Sequence, residues 1–122
     1  MAKILVADDE EELLELIRFS LDATGYEVST ASNGKIALEL SQKQTFDLII
    51  LDVMMPQMDG YHVAQVLSED PASPPILLLT SRNYDQDQVA IQGCGASAFL
   101  SKPFEIPELL EVAGSLINKA RE

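Results

Sequence analysis

Five side chains in this 122-residue sequence are placed where an apolar run gives out. Asp8 and Asp9 follow Ile4-Leu5-Val6-Ala7, Asp52 follows Leu48-Ile49-Ile50-Leu51, Thr80 follows Ile76-Leu77-Leu78-Leu79, and Lys102 stands just past Ala98-Phe99-Leu100. If those runs are strands that end at one edge, three carboxylates crowd together, and at least one resists ionisation near neutral pH unless a cation intervenes. A divalent ion resolves the conflict. Mg2+ suits a site made only of oxygens: one or two carboxylates, a backbone carbonyl and several waters, with an incoming phosphate completing the shell. The other groups extend the set, because an Asp carboxylate can attack phosphorus, an ammonium can neutralise a phosphoryl oxygen and a hydroxyl can donate to another. Asp52, Lys102 and Thr80 have those capacities.

Each residue taken singly also has an ordinary reading. Acids from Asp8 to Glu12 would favour the positive end of a helix dipole. Asp52 with Pro56 and Gly60 is compatible with simple turn chemistry, Thr80 is a common β-branched strand end, and a lysine before a proline is commonly just solvated. Coincidence argues the other way: four independent strand ends supply two acids, one acid, one hydroxyl and one ammonium. His62 lacks a ligand-spaced partner and reads as an exposed helix-start residue, while Met54, Met55 and Met58 read as loop packing.

The elements that would position these groups follow from periodicity. Near-continuous apolar runs of four or five residues fit strands buried on both faces, and Glu27-Val28-Ser29-Thr30 with Ala98-Phe99-Leu100 add two weaker candidates. Between them lie helical patterns. Leu13, Leu14, Ile17 and Leu21 run from about Glu10 to a C-cap at Gly25; Asn33 caps a helix carrying Ile36, Ala37 and Leu40. His62 to Glu69 places Val63, Val66 and Leu67 on one side. Tyr84 to Gly93 forms a fourth helix ending near Cys94, and a last one opens at Pro107 and runs through Leu109, Leu110, Val112, Ala113, Leu116 and Ile117. Strand and helix alternating five times predict an α/β domain over residues 1–122: a flavodoxin-like (βα)5 doubly wound parallel sheet of strand order 2-1-3-4-5. The first and third strands then lie side by side, and ligands bind beyond the carboxyl ends of the strands.

The residues in this order resemble the response-regulator receiver family. The likeness covers essentially the whole chain: Val6-Ala7-Asp8-Asp9-Glu10, Leu51-Asp52-Val53-Met54-Met55-Pro56-Gln57-Met58-Asp59-Gly60, Leu79-Thr80-Ser81, and Gly95-Ala96 leading to Lys102-Pro103-Phe104. The resemblance implies that Asp52 is the phosphoacceptor, Asp9 a direct Mg2+ ligand, Asp8 a ligand chiefly through water, and Met54 a ligand through its backbone carbonyl. It implies that Lys102 and Thr80 bind the phosphate, that Thr80 and Phe99 are a coupled switch pair, and that the Lys102-Pro103 bond is cis. Pro56 and Gly60 would shape the loop after the acceptor. Met54 and Arg82 would border the path of the hydrolytic water and slow dephosphorylation. Phe99 lacks the hydroxyl of the tyrosine that many receivers carry at this place.

The same resemblance implies a sensor histidine kinase or histidine phosphotransfer protein as donor. A downstream protein target or a fused output domain would be the recipient, reached through the face of the fourth helix, fifth strand and last helix, or through a phosphorylation-dependent dimer. Such a protein is a signalling switch and not an enzyme, although it assists its own phosphoryl transfer. The formal charge of -12 and eight scattered Lys and Arg residues argue against direct nucleic acid binding. The single cysteine excludes an internal disulfide, and no stretch suits a membrane span or signal peptide, so a cytoplasmic location is expected. Among rivals, an FMN carrier needs a Gly- and Ser-rich phosphate loop where this chain has Asp8-Asp9-Glu10. A haloacid-dehalogenase-like phosphatase needs a second acid two residues after its nucleophile, where this chain has Met54. A receiver fold that works without phosphorylation loses one or more of the five groups retained here.

Overall fold

The apolar runs form the strands of one parallel sheet, and the strands end where the sequence changes character. The computed structural model describes residues 2–55, 57–80 and 95–120. The strands are β1 (Lys3–Ala7), β2 (Glu27–Ala31), β3 (Leu48–Asp52), β4 (Ile76–Thr80) and β5 (Ala98–Ser101), in the order β2-β1-β3-β4-β5. All four pairings are parallel. Every residue of β3 and β4 is buried, as continuous apolar runs require when helices cover both faces of a sheet.

The period of two along the strands divides the interior into two cores. Ile4, Val6, Ile50, Leu77 and Leu79 share one with Leu14, Ile17 and Leu21 of α1 (Glu11–Ala23) and with Leu109, Ala113 and Ile117 of α4 (Ile106–Ala120). Leu5, Ala7, Ile49, Leu51 and Leu78 share the other with Ala37 of α2 (Gly34–Lys43) and with Val63 and Ala64 of α3 (Gly60–Ser68). The doubly wound arrangement and its strand order are those expected from sequence.

Helix ends are set by particular residues. Gly25, at φ 107°, closes α1: its N–H donates to the Asp22 carbonyl and the Tyr26 N–H to the Leu21 carbonyl, satisfying the last turn in a Schellman motif. Asn33 caps α2 by accepting from the Ile36 N–H at 2.9 Å. Three details differ from the sequence reading. The third helix begins at Gly60 because the Asp59 side chain accepts from the His62 N–H, making Asp59 the cap. In α2 only Ala37 of the expected apolar stripe is buried; Leu40 is half-buried and Ile36 exposed, since a short helix with few apolar residues does not fix its own rotation. In α3, Ala64 accompanies Val63 inside, while Val66 and Leu67 are only half-buried. The expected helix at 84–93, together with Pro56, Arg82 and Cys94, lies outside the described residues.

Candidate functional site

At the carboxyl edge of the sheet, β1, β3, β4 and the segment after β5 deliver the four chemistries to one place. The backbone fixes each strand end to its neighbour. The Asp8 N–H donates to the Ala31 carbonyl, the Val53 N–H to the Leu79 carbonyl at 2.9 Å, and the Lys102 N–H to the Thr80 carbonyl at 2.7 Å. Asp8 and Asp52 are buried, Thr80 is buried at the end of β4, one residue past the Leu79 that pairs with Asp52, and Asp9 faces solvent.

Lys102 is the centre of the charge network. Its Nζ lies 3.1 Å from Asp8 Oδ2, 3.4 Å from Asp52 Oδ1 and 3.7 Å from Glu10 Oε1. Asp8 uses its other oxygen as well, Oδ1 accepting from the Glu10 N–H at 2.9 Å. Burial works to lower the Lys102 pKa, but the hydrogen bond to Asp8 and the charges of Asp52, Asp8 and Glu10 outweigh it and hold the ammonium above its usual range. Asp52 moves in the unfavourable direction for an acid: burial first, and the Asp8 charge second, push its carboxyl up to about 6. Lys102 and a hydrogen bond from the Met54 backbone N–H act against that rise. Such crowding of carboxylates is what the strand-end arrangement predicts.

Asp8, Asp9 and Asp52 each present an oxygen within 4.8 Å of the others. Counting Glu10, four carboxylates face one ammonium at this edge among the described residues. A cluster of oxygen donors with excess negative charge fits a hard divalent cation, so the donor set suits the metal expected from sequence. The cavities of about 570 and 450 Å³ lie elsewhere, lined by loop residues that include Asp70, Ser73 and Pro74, and neither includes these acids.

Most of the residues singled out in the sequence come together. Asp8, Asp9, Asp52 and Lys102 form the cluster, and Thr80 ends the adjacent strand. The Lys102-Pro103 peptide is cis. The Met54 side chain is half-exposed, two residues after Asp52. Phe99 pairs with Leu78 across β4 and β5 and packs on the α2–α3 side of the sheet, the side that Thr80, two residues beyond Leu78, also faces. Gly60 packs so closely that a methyl on it would overlap the Asp52 carbonyl oxygen. Sequence reasoning treated Glu10 only as part of an acidic run and missed its ion pair with Lys102. The signal was available, because a residue three positions past a strand end can reach back over the same edge.

Comparison with known proteins agrees with the geometry. The response regulator receiver domain family model matches residues 4–113. Over 107 residues the chain is 41% identical to the alkaline phosphatase synthesis transcriptional regulatory protein PhoP of Bacillus subtilis, covering 88% of this chain and 45% of that one. Over 121 residues it is 35% identical to the transcriptional regulatory protein PcoR of Escherichia coli, covering 99% and 54%. The chain thus spans about half the length of the curated relatives it matches. Among solved structures, the chemotaxis response regulator CheY4 of Vibrio cholerae superposes with a TM-score of 0.89 at 35% identity, covering 95% of this chain and 98% of that one. The response regulator TrrA of Thermotoga maritima, in complex with Mg(2+)-BeF, superposes with a TM-score of 0.86 at 34% identity, covering 95% and 99%. The chain belongs to the response regulator receiver domain family. It is a two-component signalling switch with an acidic site for phosphorylation, formed at Asp8, Asp9 and Asp52. No helix among the described residues is long and apolar enough to cross a membrane.

Proposed function

We propose that Asp52 accepts a phosphoryl group from the phosphohistidine of a sensor histidine kinase or a histidine phosphotransfer protein, with Mg2+ as cofactor. The observation that supports this most directly is the placement of Asp52: a buried carboxylate at the end of β3, 3.4 Å from an ammonium and within 4.8 Å of two further acids. An Asp52 oxygen attacks phosphorus, the phosphorus–nitrogen bond of the donor breaks, and the imidazole leaves with the electron pair. Lys102 then turns from Asp8 and Asp52 toward the new phosphoryl oxygens, and the Thr80 hydroxyl donates to another. When bound, Mg2+ supplies positive charge opposite the phosphoryl oxygens. Asp9, Asp52 and the Met54 backbone carbonyl would hold it directly. Asp8 would act through water, a division supported by the exposure of Asp9 and by the donors already on both Asp8 oxygens.

Residues 1–122 act in this reading as one receiver unit in the cytoplasm, passing the signal to a downstream protein or to a fused output domain. The transcriptional regulators among its longer relatives favour a regulatory output. Met54 and Arg82 tune the lifetime of the phosphoryl group, because neither side chain orients a hydrolytic water well.

With Mg2+ and acetyl phosphate, the intact mass should rise by one phosphoryl group, about 80 Da, and the mark should be labile to hydroxylamine as an acyl phosphate is. Asp52→Asn and chelation of the metal should each abolish it. Equal labelling of the variant would assign the acceptor elsewhere.

A further inference from the structure

We infer that Gly34, on α2 and outside the acidic cluster, is a positioning residue for the phosphorylation site: it lets the Met58 backbone seat against the first turn of α2 and thereby holds the turn after Asp52. The inference rests on the reading of Asp52 as acceptor and of its cluster as the Mg2+ site.

The requirement for glycine is spatial. A methyl built on Gly34 would overlap the Met58 carbonyl oxygen and lie 2.8 Å from the carbonyl carbon and 3.0 Å from the Met58 Cβ. The obstacle is backbone, so no side-chain rotation relieves it. The φ of Gly34 is not in the left-handed region, where only Gly25 and Gly95 stand among the described glycines, so its backbone conformation would admit other residues. Gly34 is buried and follows Asn33, whose side chain caps α2, so the first turn of that helix is a fixed support.

The segment resting on it leads back to the acceptor. At its far end the Gly60 N–H donates to the Val53 carbonyl at 3.0 Å, and Gly60 is packed against the Asp52 carbonyl. At its near end the Met54 N–H donates to the Asp52 carboxylate. Gln57, at φ 70°, turns the chain between them. With both ends tied to β3, the outer side of the turn rests at Met58 on Gly34. A methyl there pushes Met58 outward and draws Met54 with it. Misplacement of a reacting group by about 1 Å can cost on the order of a hundredfold in rate, so a smaller shift here has a measurable effect.

The test compares Gly34→Ala with Gly25→Ala in the full chain. Gly25 stands at φ 107° with nothing within 4 Å of an added Cβ, so its substitution costs stability through backbone strain without touching the turn. In Gly34→Ala the amide resonance of Met54 should move in the metal-free protein. The Kd for Mg2+, read by titration with magnesium chloride, should rise about tenfold, and labelling by acetyl phosphate at saturating Mg2+ should slow about tenfold. Gly25→Ala should match wild type in all three. An unmoved Met54 amide together with an unchanged Mg2+ affinity in folded Gly34→Ala would overturn the inference. If Gly34→Ala does not fold, it is made in a Gln57→Gly background, where the turn can yield. There a Kd raised over Gln57→Gly alone supports the inference, and an equal Kd or failure to fold overturns it. Absence of Mg2+ binding by wild type would strike the proposed metal site instead, and the metal-free Met54 resonance would still report on Gly34.

Discussion

At the level of single residues, Asp52 is held in a state that costs the fold something. Its carboxyl is pushed from 3.8 up to about 6, first by burial and then by Asp8. A carboxyl whose folded pKa exceeds its unfolded value stabilises the fold while it is protonated. That contribution is complete below about pH 4 and is lost as pH rises through about 6. The shift of roughly two units corresponds to about 3 kcal/mol at most, and partial solvent access at the open edge reduces it to about 1–2 kcal/mol. In metal-free buffer, Asp52→Asn should therefore be more stable than wild type at pH 7 by about 1–2 kcal/mol, and the gap should close near pH 4. Urea unfolding of both proteins at the two pH values measures this; a gap independent of pH would remove Asp52 from the account. Mg2+ should narrow the gap at pH 7, because a cation that binds only the folded wild-type cluster stabilises it.

Secondary elements show a different balance between what sequence chemistry dictates and what tertiary contact decides. β3 and β4, like β1, were legible because a strand covered on both faces must be apolar throughout, and these three runs read that way. The C-cap at Gly25 was legible from residue type, as was the Asn33 cap. The rotation of α2 was not: Ile36, Ala37 and Leu40 leave several phases open, and contact with the sheet selects the one that buries Ala37. The start of α3 was misplaced because glycine is a poor helix former, whereas Gly60 stands where only its lack of a side chain lets the helix begin against the Asp52 carbonyl. The turn between β3 and α3 also contains a residue at odds with local preference. Gln57 is the non-glycine residue at positive φ among those described, and a side chain in the left-handed region costs on the order of 1 kcal/mol. Gln57→Gly should relieve that strain while adding chain entropy to the unfolded state, for a net change between about zero and +1 kcal/mol in stability. Thermal unfolding decides it: a loss greater than about 1 kcal/mol would mean that the Gln57 side chain itself stabilises the turn.

Across the whole molecule, the site is a product of topology. Asp8 and Lys102 are 94 residues apart in sequence and 3.1 Å apart in space, and this was readable in advance because parallel strands end at a common edge. The seating of Met58 on Gly34 was not readable, since no periodic pattern reports a close approach of two backbones. The same topology offers a route by which a charge at Asp52 would reach the far edge. Asp52 pairs in register with Leu79, Thr80 with Ser101, and Leu78 with Phe99, while the Lys102 N–H is bound to the Thr80 carbonyl. β4 therefore lies between Asp52 and the segment carrying both Phe99 and Lys102. A phosphoryl group at Asp52 should draw the Thr80 hydroxyl toward it, and Phe99, on the same face of the sheet as Thr80, should repack against the space that this movement opens. The two arrangements should differ by packing alone, because Phe99 has no hydroxyl to fix either one. Phosphorylation can bias them only by its differential interaction with the two states, about 1.4 kcal/mol for each tenfold change in their ratio. Thr80→Ala should still be labelled at Asp52 yet lose most of the phosphorylation-dependent shift of the backbone resonances from Ala98 to Ser101. Partner binding or self-association through the face of β5 and α4 should weaken in parallel. Comparing those resonances before and after acetyl phosphate in wild type and Thr80→Ala is decisive, because identical changes in both would show that the signal crosses β4 without Thr80.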